Sequence, residues 1–294
     1  MAVNHLERDF FAFIDEVEKR RACSPAEGVD LWRVFQSRYY RRHRAFLSAV
    51  WFKCQGYTRT NIRERVRAIK LGDYAGLREA LAAYDVDGCT GIVLERCALH
   101  SGDFSPCEIY LFVGFFSPDA FVVRHEGSPV ICVGLERFRS FRTYPVLLAH
   151  EFCHLAMMRK LGGTGKGGVE ADGMPSPSEP ERVSGRLVRE GIAAFFSGRV
   201  WPDEPPHVHL FIEERRFREL SRLYPSTGDL RREIVSRVSA GRDIFHGHGE
   251  DCHPRLGYYL GYRLVGDFAR RKGIEDFGEL LARYDDIFVD FGLR

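Results

Sequence analysis

The sequence predicts an α+β fold: a helical N-terminal region, a small antiparallel or mixed sheet, and a long, mostly helical C-terminal part. Three observations carry this. Apolar residues recur at helical spacing over the first third. Short runs rich in Val, Ile and Phe follow, separated by turn residues. Helical spacing then returns from Tyr144 onward. With 294 residues, 45% of them hydrophobic, the chain can bury a substantial core as one large domain or two smaller ones.

Taken in order, helices are expected over 5–20, 28–50 and 60–83, with breaks at Ser24-Pro25 and Gln55-Gly56. Strands are expected over 91–98, 108–116, 120–125 and 130–135, because β-branched and aromatic residues cluster there between Gly-Asp, Ser-Pro-Asp and Glu-Gly-Ser-Pro turns. A helix over 144–160 follows, with Pro145 suited to its first turn. Residues 162–180, rich in Gly, Ser and Pro, read as a flexible loop. Helices are then expected over 181–199, 208–223, 229–240, 254–272 and 274–286, with a break over 202–206. The expected division is an N-terminal helical region, 1–85, and a second domain, 86–294, that holds both the sheet and the later helices. Neither an internal repeat nor a low-complexity tract is present.

Lys plus Arg number 43 and Asp plus Glu 41, so the net charge of +2 names no partner. The local balance is uneven. Over 31–70 stand Arg33, Arg38, Arg41, Arg42, Arg44, Lys53, Arg59, Arg63, Arg65, Arg67 and Lys70, against the single acid Glu64. The N-terminus lacks a basic segment followed by an apolar one, and no apolar run is long enough to span a bilayer. A cytoplasmic protein without membrane contact is therefore expected. The eight cysteines are scattered and none forms a CxxC pair, which points to reduced core thiols rather than to a cysteine-held zinc.

The chemistry concentrates in His150-Glu151-Phe152-Cys153-His154. Histidines at i and i+4 of a helix share one face a turn apart and can take two corners of a zinc tetrahedron. Glu151 points to the side of that face. From there its carboxylate can take a proton from a water activated by the metal and pass it to a leaving amine. A chance HExxH is uncommon at this composition, and the flanking Val146, Leu147, Leu148, Ala149, Leu155, Ala156 and Met157 make the helix a buried one. Two histidines and a glutamate inside such a helix are costly unless paired or metal-bound. The bland alternative is a pair of core histidines bonded to backbone carbonyls.

A third ligand must come from elsewhere. Leu155-Ala156-Met157-Met158 after His154 excludes the metzincin pattern of a glycine and a third histidine. A His₂Glu site takes a glutamate from another helix, and Glu190 stands in the middle of the next one, in Arg189-Glu190-Gly191-Ile192-Ala193-Ala194-Phe195. Gly191, Ala193 and Ala194 are expected to let that helix approach the first closely. Glu170, Asp172, Glu179 and Glu181 are rivals in the expected loop or at its end. One Zn²⁺, held by His150, His154 and Glu190, is the expected cofactor.

A zinc helix followed by Glu-Gly-Ile-Ala resembles the gluzincin, or thermolysin-like, metallopeptidases. Residues 131–138 and the Gly257-Tyr258-Tyr259-Leu260-Gly261-Tyr262 segment add a resemblance to an uncharacterised bacterial family of predicted zinc-dependent proteases. The resemblance covers roughly 130 to 294 and leaves the N-terminal helices outside it. It implies a zincin-like fold, hydrolysis of a peptide or protein substrate, and an oxyanion donor. That donor would be Tyr258, with Tyr259 next and Tyr262 also on the same helix; any of the three can equally be a packing aromatic. Arg255 could meet a substrate carbonyl or carboxylate.

Other features carry less. His246, His248 and His253, with Glu250, Asp251 and Cys252, offer ligand types without a zinc spacing, and a polar loop is the preferred reading; His253 is the member expected to face the site. His207 and His209 are expected at the surface. The strand over 130–135, or a neighbour, is expected to be an edge that pairs with an extended substrate. A rival reading makes the basic helices, with Trp32, Tyr39, Tyr40, Trp51 and Tyr57, a nucleic-acid-binding module, with the metal regulatory or structural. A solvated helical face with inward aromatics is preferred to it. A metal site without catalysis would gain nothing from Glu151.

Overall fold

The computed structural model describes residues 2–24, 28–115, 119–138, 140–161, 180–239, 244–245 and 255–292. The chain is α+β, and its contacts divide it into two compact units. One comprises Met1–Cys89 and Ser105–Arg142. The other comprises Thr90–Phe104 with 143–161 and 180–292, each taken over its described residues. This differs from the expected division at 85/86. The sheet groups with the N-terminal helices, not with the HExxH helix.

The reason lies at the N-terminus. Residues Ala2–His5 form a strand, β1, where the sequence suggested only the approach to a helix. It pairs in parallel with β2, Glu108–Phe112, and β2 pairs in parallel with β4, Ser128–Gly134. The remaining strand, β3, Ala120–His125, runs antiparallel to β4, giving the order β1-β2-β4-β3 among the described residues. Glu126 and Gly127, at φ +50° and +84°, join β3 to β4. Positive φ at both central residues is the two-residue turn whose twist suits a hairpin. Because β4 lies between β2 and β3, the expectation that 130–135 is a substrate-pairing edge is overturned; β3 is the neighbouring edge. Burial of Val130, Ile131, Cys132 and Val133 matches this central place.

The sheet's partner in the first unit is α1, Leu6–Cys23, which buries Leu6, Phe10, Phe13, Ile14 and Val17 along one stripe. Phe10 and Phe13 meet Tyr39 and Phe35 at ring separations of 5.6 and 5.5 Å. Burying each such ring contributes about 1.5–3 kcal/mol relative to exposure. The Tyr39 hydroxyl donates to the Val113 carbonyl at 3.1 Å and accepts from its N–H at 3.2 Å. The expected helix over 28–50 is α2, Leu31–Phe35, widened over Gln36–Tyr40, then α3, Arg44–Ser48, widened over Ala49–Cys54. The expected helix over 60–83 is α4, Arg59–Arg67, a tight turn over Leu71–Tyr74, and α5, Ala75–Ala82.

The expected strand over 91–98 is instead part of α6, Val86–Ser101. Val86, Thr90, Val93, Leu94, Cys97, Ala98 and Ser101 are its buried residues, a 3–4 repeat. Ile92 and Leu99, which made the run look uniformly apolar, are exposed. The second unit is built on α6 from Thr90, on α7, Tyr144–Leu161, and on α8, Pro180–Val200. Lys160 donates to the Ser101 carbonyl at 2.9 Å and Arg159 pairs with Asp103 at 3.0 Å, fixing α7 to the end of α6.

The later helices are α9, Pro206–His209; α10, Glu214–Leu223; α11, Thr227–Ser239; α12, Leu256–Lys272; α13, Phe277–Ala282; and α14, Tyr284–Phe291. Helix α8 lies against both α7 and α12. A Cβ on Gly191 would stand 2.3 Å from the Gly261 carbonyl oxygen, and one on Gly261 would stand 2.3 Å from that of Leu187. These glycines therefore set the approach of α8 to α12, not to the HExxH helix as expected. No described helix is long and apolar enough to cross a membrane. Cys54, Cys97, Cys107, Cys132 and Cys153 are buried as core thiols, whereas Cys89 is half-buried and Cys23, at the end of α1, is exposed.

Candidate metal centre

Helix α7 is buried on nearly every side, so its polar side chains have little choice but to meet one another. His150 is 2% exposed and Glu151 6%. One turn on, His154 turns its Nε2 to within 3.2 Å of the His150 Nε2. From α8, the Glu190 Oε2 stands 3.1 Å from the His150 Nε2 and 3.4 Å from the His154 Nε2. The three ligand atoms thus form a nearly equilateral triangle.

Protons cannot satisfy this triangle. With Glu190 ionised, two protonated Nε2 atoms would face each other proton to proton. If either lacks its proton, a lone pair faces the carboxylate. A single cation satisfies all three lone pairs. Ligand atoms at tetrahedral zinc distances of about 2.0–2.2 Å stand about 3.3–3.5 Å from one another, close to the observed edges. The residues therefore fit a divalent ion, with the triangle as one face of its coordination shell. His150, Glu151 and His154 also form a group in which one ligand atom of each lies within 4.8 Å of the others. Glu190 also lies within 3.4 Å of both imidazoles.

The same contacts set the electrostatics of the three groups by themselves. Burial pushes the Glu190 carboxyl up, but the two imidazoles more than reverse this and hold it well below the usual range. Burial lowers His150, with the Glu190 hydrogen bond opposing it. Burial also acts to lower His154, but Glu190 and Glu151 outweigh it and raise the ring. The His150 Nδ1 is buried without a partner among the described residues, so packing orients this ring. The Phe211 ring stands edge-on to it at 5.4 Å.

Tyr258 is the tyrosine brought to the cluster. Its ring lies 6.4 Å from that of His150, and the Glu190 charge, then burial, hold its hydroxyl protonated. Tyr259 lies elsewhere: its hydroxyl donates to Ser221 at 3.3 Å and accepts from Arg263 at 2.7 Å. Arg255, at φ +62°, caps the start of α12 with its guanidinium 5.7 Å from the Tyr258 ring and 5.8 Å from that of Phe211.

Two residues escaped the sequence. Arg186 places its Nε 3.8 Å from the Glu190 Oε1 and its guanidinium over Phe245. Its position four residues before Glu190 was the available signal. Phe211, at φ +52° after α9, gave none. His209, expected at the surface, is 3% exposed. Its Nδ1 meets the Ser197 Oγ at 3.1 Å and its Nε2 meets the Glu204 carbonyl at 3.2 Å, so it is a satisfied structural histidine. Of the loop expected over 162–180, Pro180 opens α8 instead; residues 162–179, with the rivals Glu170, Asp172 and Glu179, and the His246–His253 run lie outside the described residues, as does the side chain of Glu181.

Fold and site together define an α+β protein in which His150, Glu151 and His154 form a group that could hold a metal ion, with Glu190 3.1 and 3.4 Å from the two imidazoles. No family model matches the chain, and neither a curated protein nor a solved structure matches it.

Proposed function

We propose that the chain is a zinc-dependent hydrolase of peptide or other amide bonds, of the gluzincin type. The observation that carries this reading is the triangle of His150, His154 and Glu190 ligand atoms, with edges of 3.1–3.4 Å, beside the Glu151 carboxylate. A bound zinc ion would supply Lewis-acid polarisation of a carbonyl and a lowered pKa for water. A purely structural site would be closed by a fourth protein ligand and would have no use for a buried carboxylate at its rim.

The chain's own groups then have distinct tasks. Glu151 takes the proton of the attacking water as its oxygen adds to the carbonyl carbon. It returns that proton to the departing amine nitrogen as the C–N bond breaks. Tyr258, kept protonated, donates its hydroxyl to the oxygen that gains negative charge. Phe211 covers one side of His150 and keeps water from that ring. Two helices set this geometry, since α7 carries His150, Glu151 and His154 while α8 carries Glu190.

The test is metal content measured beside hydrolysis of a peptide library. The wild-type chain should hold one zinc per molecule and release cleaved peptides. Glu151→Gln should keep the metal and lose cleavage, and Glu190→Ala should lose the metal. Full metal occupancy in the Glu190 variant would move the third ligand elsewhere. Undiminished cleavage by Glu151→Gln would sink the acid–base assignment.

A further inference from the structure

A second site stands in the first unit, built from the basic helices that the hydrolytic reading leaves unused. Trp32, Gln36, Tyr40, Arg41, Arg44, Phe52, Arg59 and Ile62 line a cavity of about 210 Å³. Its composition is two-sided. Trp32, Tyr40, Phe52 and Ile62 supply flat apolar surface. Arg41, Arg44 and Arg59 supply three guanidiniums, and the lining holds no acid.

Several neighbouring arginines are held by partners. Arg38 pairs with Glu16 at 2.9 Å, Arg42 with Asp9 at 2.8 Å, and Arg65 donates to the Phe115 carbonyl at 2.7 Å. Among the described residues, no ion pair or side-chain hydrogen bond holds Arg41, Arg44 or Arg59. Acids thus neutralise Arg38 and Arg42, whereas among the described residues the three arginines that line the cavity carry their charge unpaired, as do Arg33, Arg63 and Arg67 outside it.

The backbone supplies an independent observation. Two of the helical segments that form the walls are wound wide. The Arg41 N–H donates to the Gln36 carbonyl five residues back at 3.0 Å, and the Gln55 N–H donates to that of Val50, also at 3.0 Å. Such wide turns are uncommon, cost stability and concentrate at functional sites. Each inserts an extra residue and re-aims the side chains that follow. Gln36 and Tyr40 come from the first segment and Phe52 from the second. Tyr40 is held rigid by its contact with the Ser48 Oγ at 3.1 Å and by stacking on Trp51 at 6.1 Å with the planes 9° apart.

We infer that this cavity takes a nucleobase together with its phosphate, from a free nucleotide or from a single-stranded nucleic acid. An aromatic wall offers a stacking face that suits any base, and guanidiniums offer paired donors to phosphate oxygens. The volume is smaller than the roughly 300–1,000 Å³ of most small-molecule sites, which suits one ring rather than a dinucleotide. Duplex DNA presents no free base face to such a cavity.

The experiment titrates the full chain with adenosine monophosphate and, separately, with a short single-stranded oligodeoxynucleotide. It follows tryptophan fluorescence, with Trp32→Phe assigning the signal. At least one probe should bind and quench Trp32. Binding of the mononucleotide identifies a free nucleotide as sufficient; binding of the oligonucleotide alone identifies the strand as the source. Arg41→Gln with Arg44→Gln should weaken binding at least about tenfold. For the oligonucleotide, the same pair should lower the salt slope by about 0.7, the value for one phosphate contact on a single strand. Trp32→Ala should weaken binding roughly 5- to 150-fold. Arg63→Gln with Arg67→Gln, on exposed positions outside the lining, should change affinity less than about threefold. Failure of both probes to bind overturns the inference. So does an equal loss in the two double variants, which would reduce the effect to general surface charge.

Discussion

The two units treat charge in opposite ways. In the first, Arg41, Arg44 and Arg59 stand around an aromatic-walled cavity without an acid in its lining. In the second, Glu190 and two imidazoles stand within 3.4 Å of one another inside a helical core. A guanidinium in water needs no partner, so the first arrangement costs the fold little. A carboxylate and two rings withdrawn from water must find compensation, and the second arrangement supplies it by setting the three against one another. The exposed group thus keeps its recognition capacity in reserve, while the buried group is committed by its own desolvation.

That contrast can be broken from either side. The largest effect is expected in the buried cluster. Glu151→Gln should lower hydrolysis about 10²- to 10⁴-fold with metal content unchanged, as single-turnover assays and metal analysis would show. Tyr258→Phe keeps the ring and removes the donor. It should lower kcat by about 10²- to 10³-fold with little change in KM, and a change confined to KM would make Tyr258 a binding residue only. Next comes the frame that holds Glu190. Gly261→Ala places a Cβ 2.3 Å from the Leu187 carbonyl oxygen and should cost about 1–3 kcal/mol or more in chemical denaturation. An unchanged midpoint would show that α8 and α12 can separate freely.

A smaller effect follows from protonation. Without metal, Glu190 has its carboxyl held well below the ordinary value of 4.5. A depressed carboxylate stabilises the fold above its unfolded pKa, and that contribution is lost as pH falls through the folded value. The chelated protein should therefore lose stability below about pH 4.5, and Glu190→Gln should blunt that acid sensitivity in thermal melts. The smallest effect lies on the other side. Arg41→Gln with Arg44→Gln should change stability by less than about 0.5 kcal/mol while changing nucleotide binding. A large loss of stability would mean that these arginines belong to the fold.

Sequence periodicity determined a good deal by itself. A helix winds at about 3.6 residues per turn wherever it lies, so His150 and His154 had to share a face, and Glu151 had to stand beside it. The β3 and β4 runs and the α7 and α8 helices were legible for the same local reason. Where periodicity was ambiguous the reading failed: the buried repeat of α6 was masked by the exposed Ile92 and Leu99.

What only the tertiary structure decided are the meetings between distant segments. The pairing of Ala2–His5 with Glu108–Phe112 drew the sheet into the N-terminal unit, and no residue near either strand encodes the other. Gly191 sits beside Glu190 in sequence yet faces Gly261, because successive helical residues point about 100° apart and the two helices nearest α8 lie on different sides of it. The different places of Tyr258 and Tyr259 have the same origin: adjacent residues on α12 face different neighbours, one the His150 ring and the other Ser221 and Arg263. Spacing along one helix is a local property and can be read from the chain. Which side chains meet across helices depends on packing that only the folded whole determines.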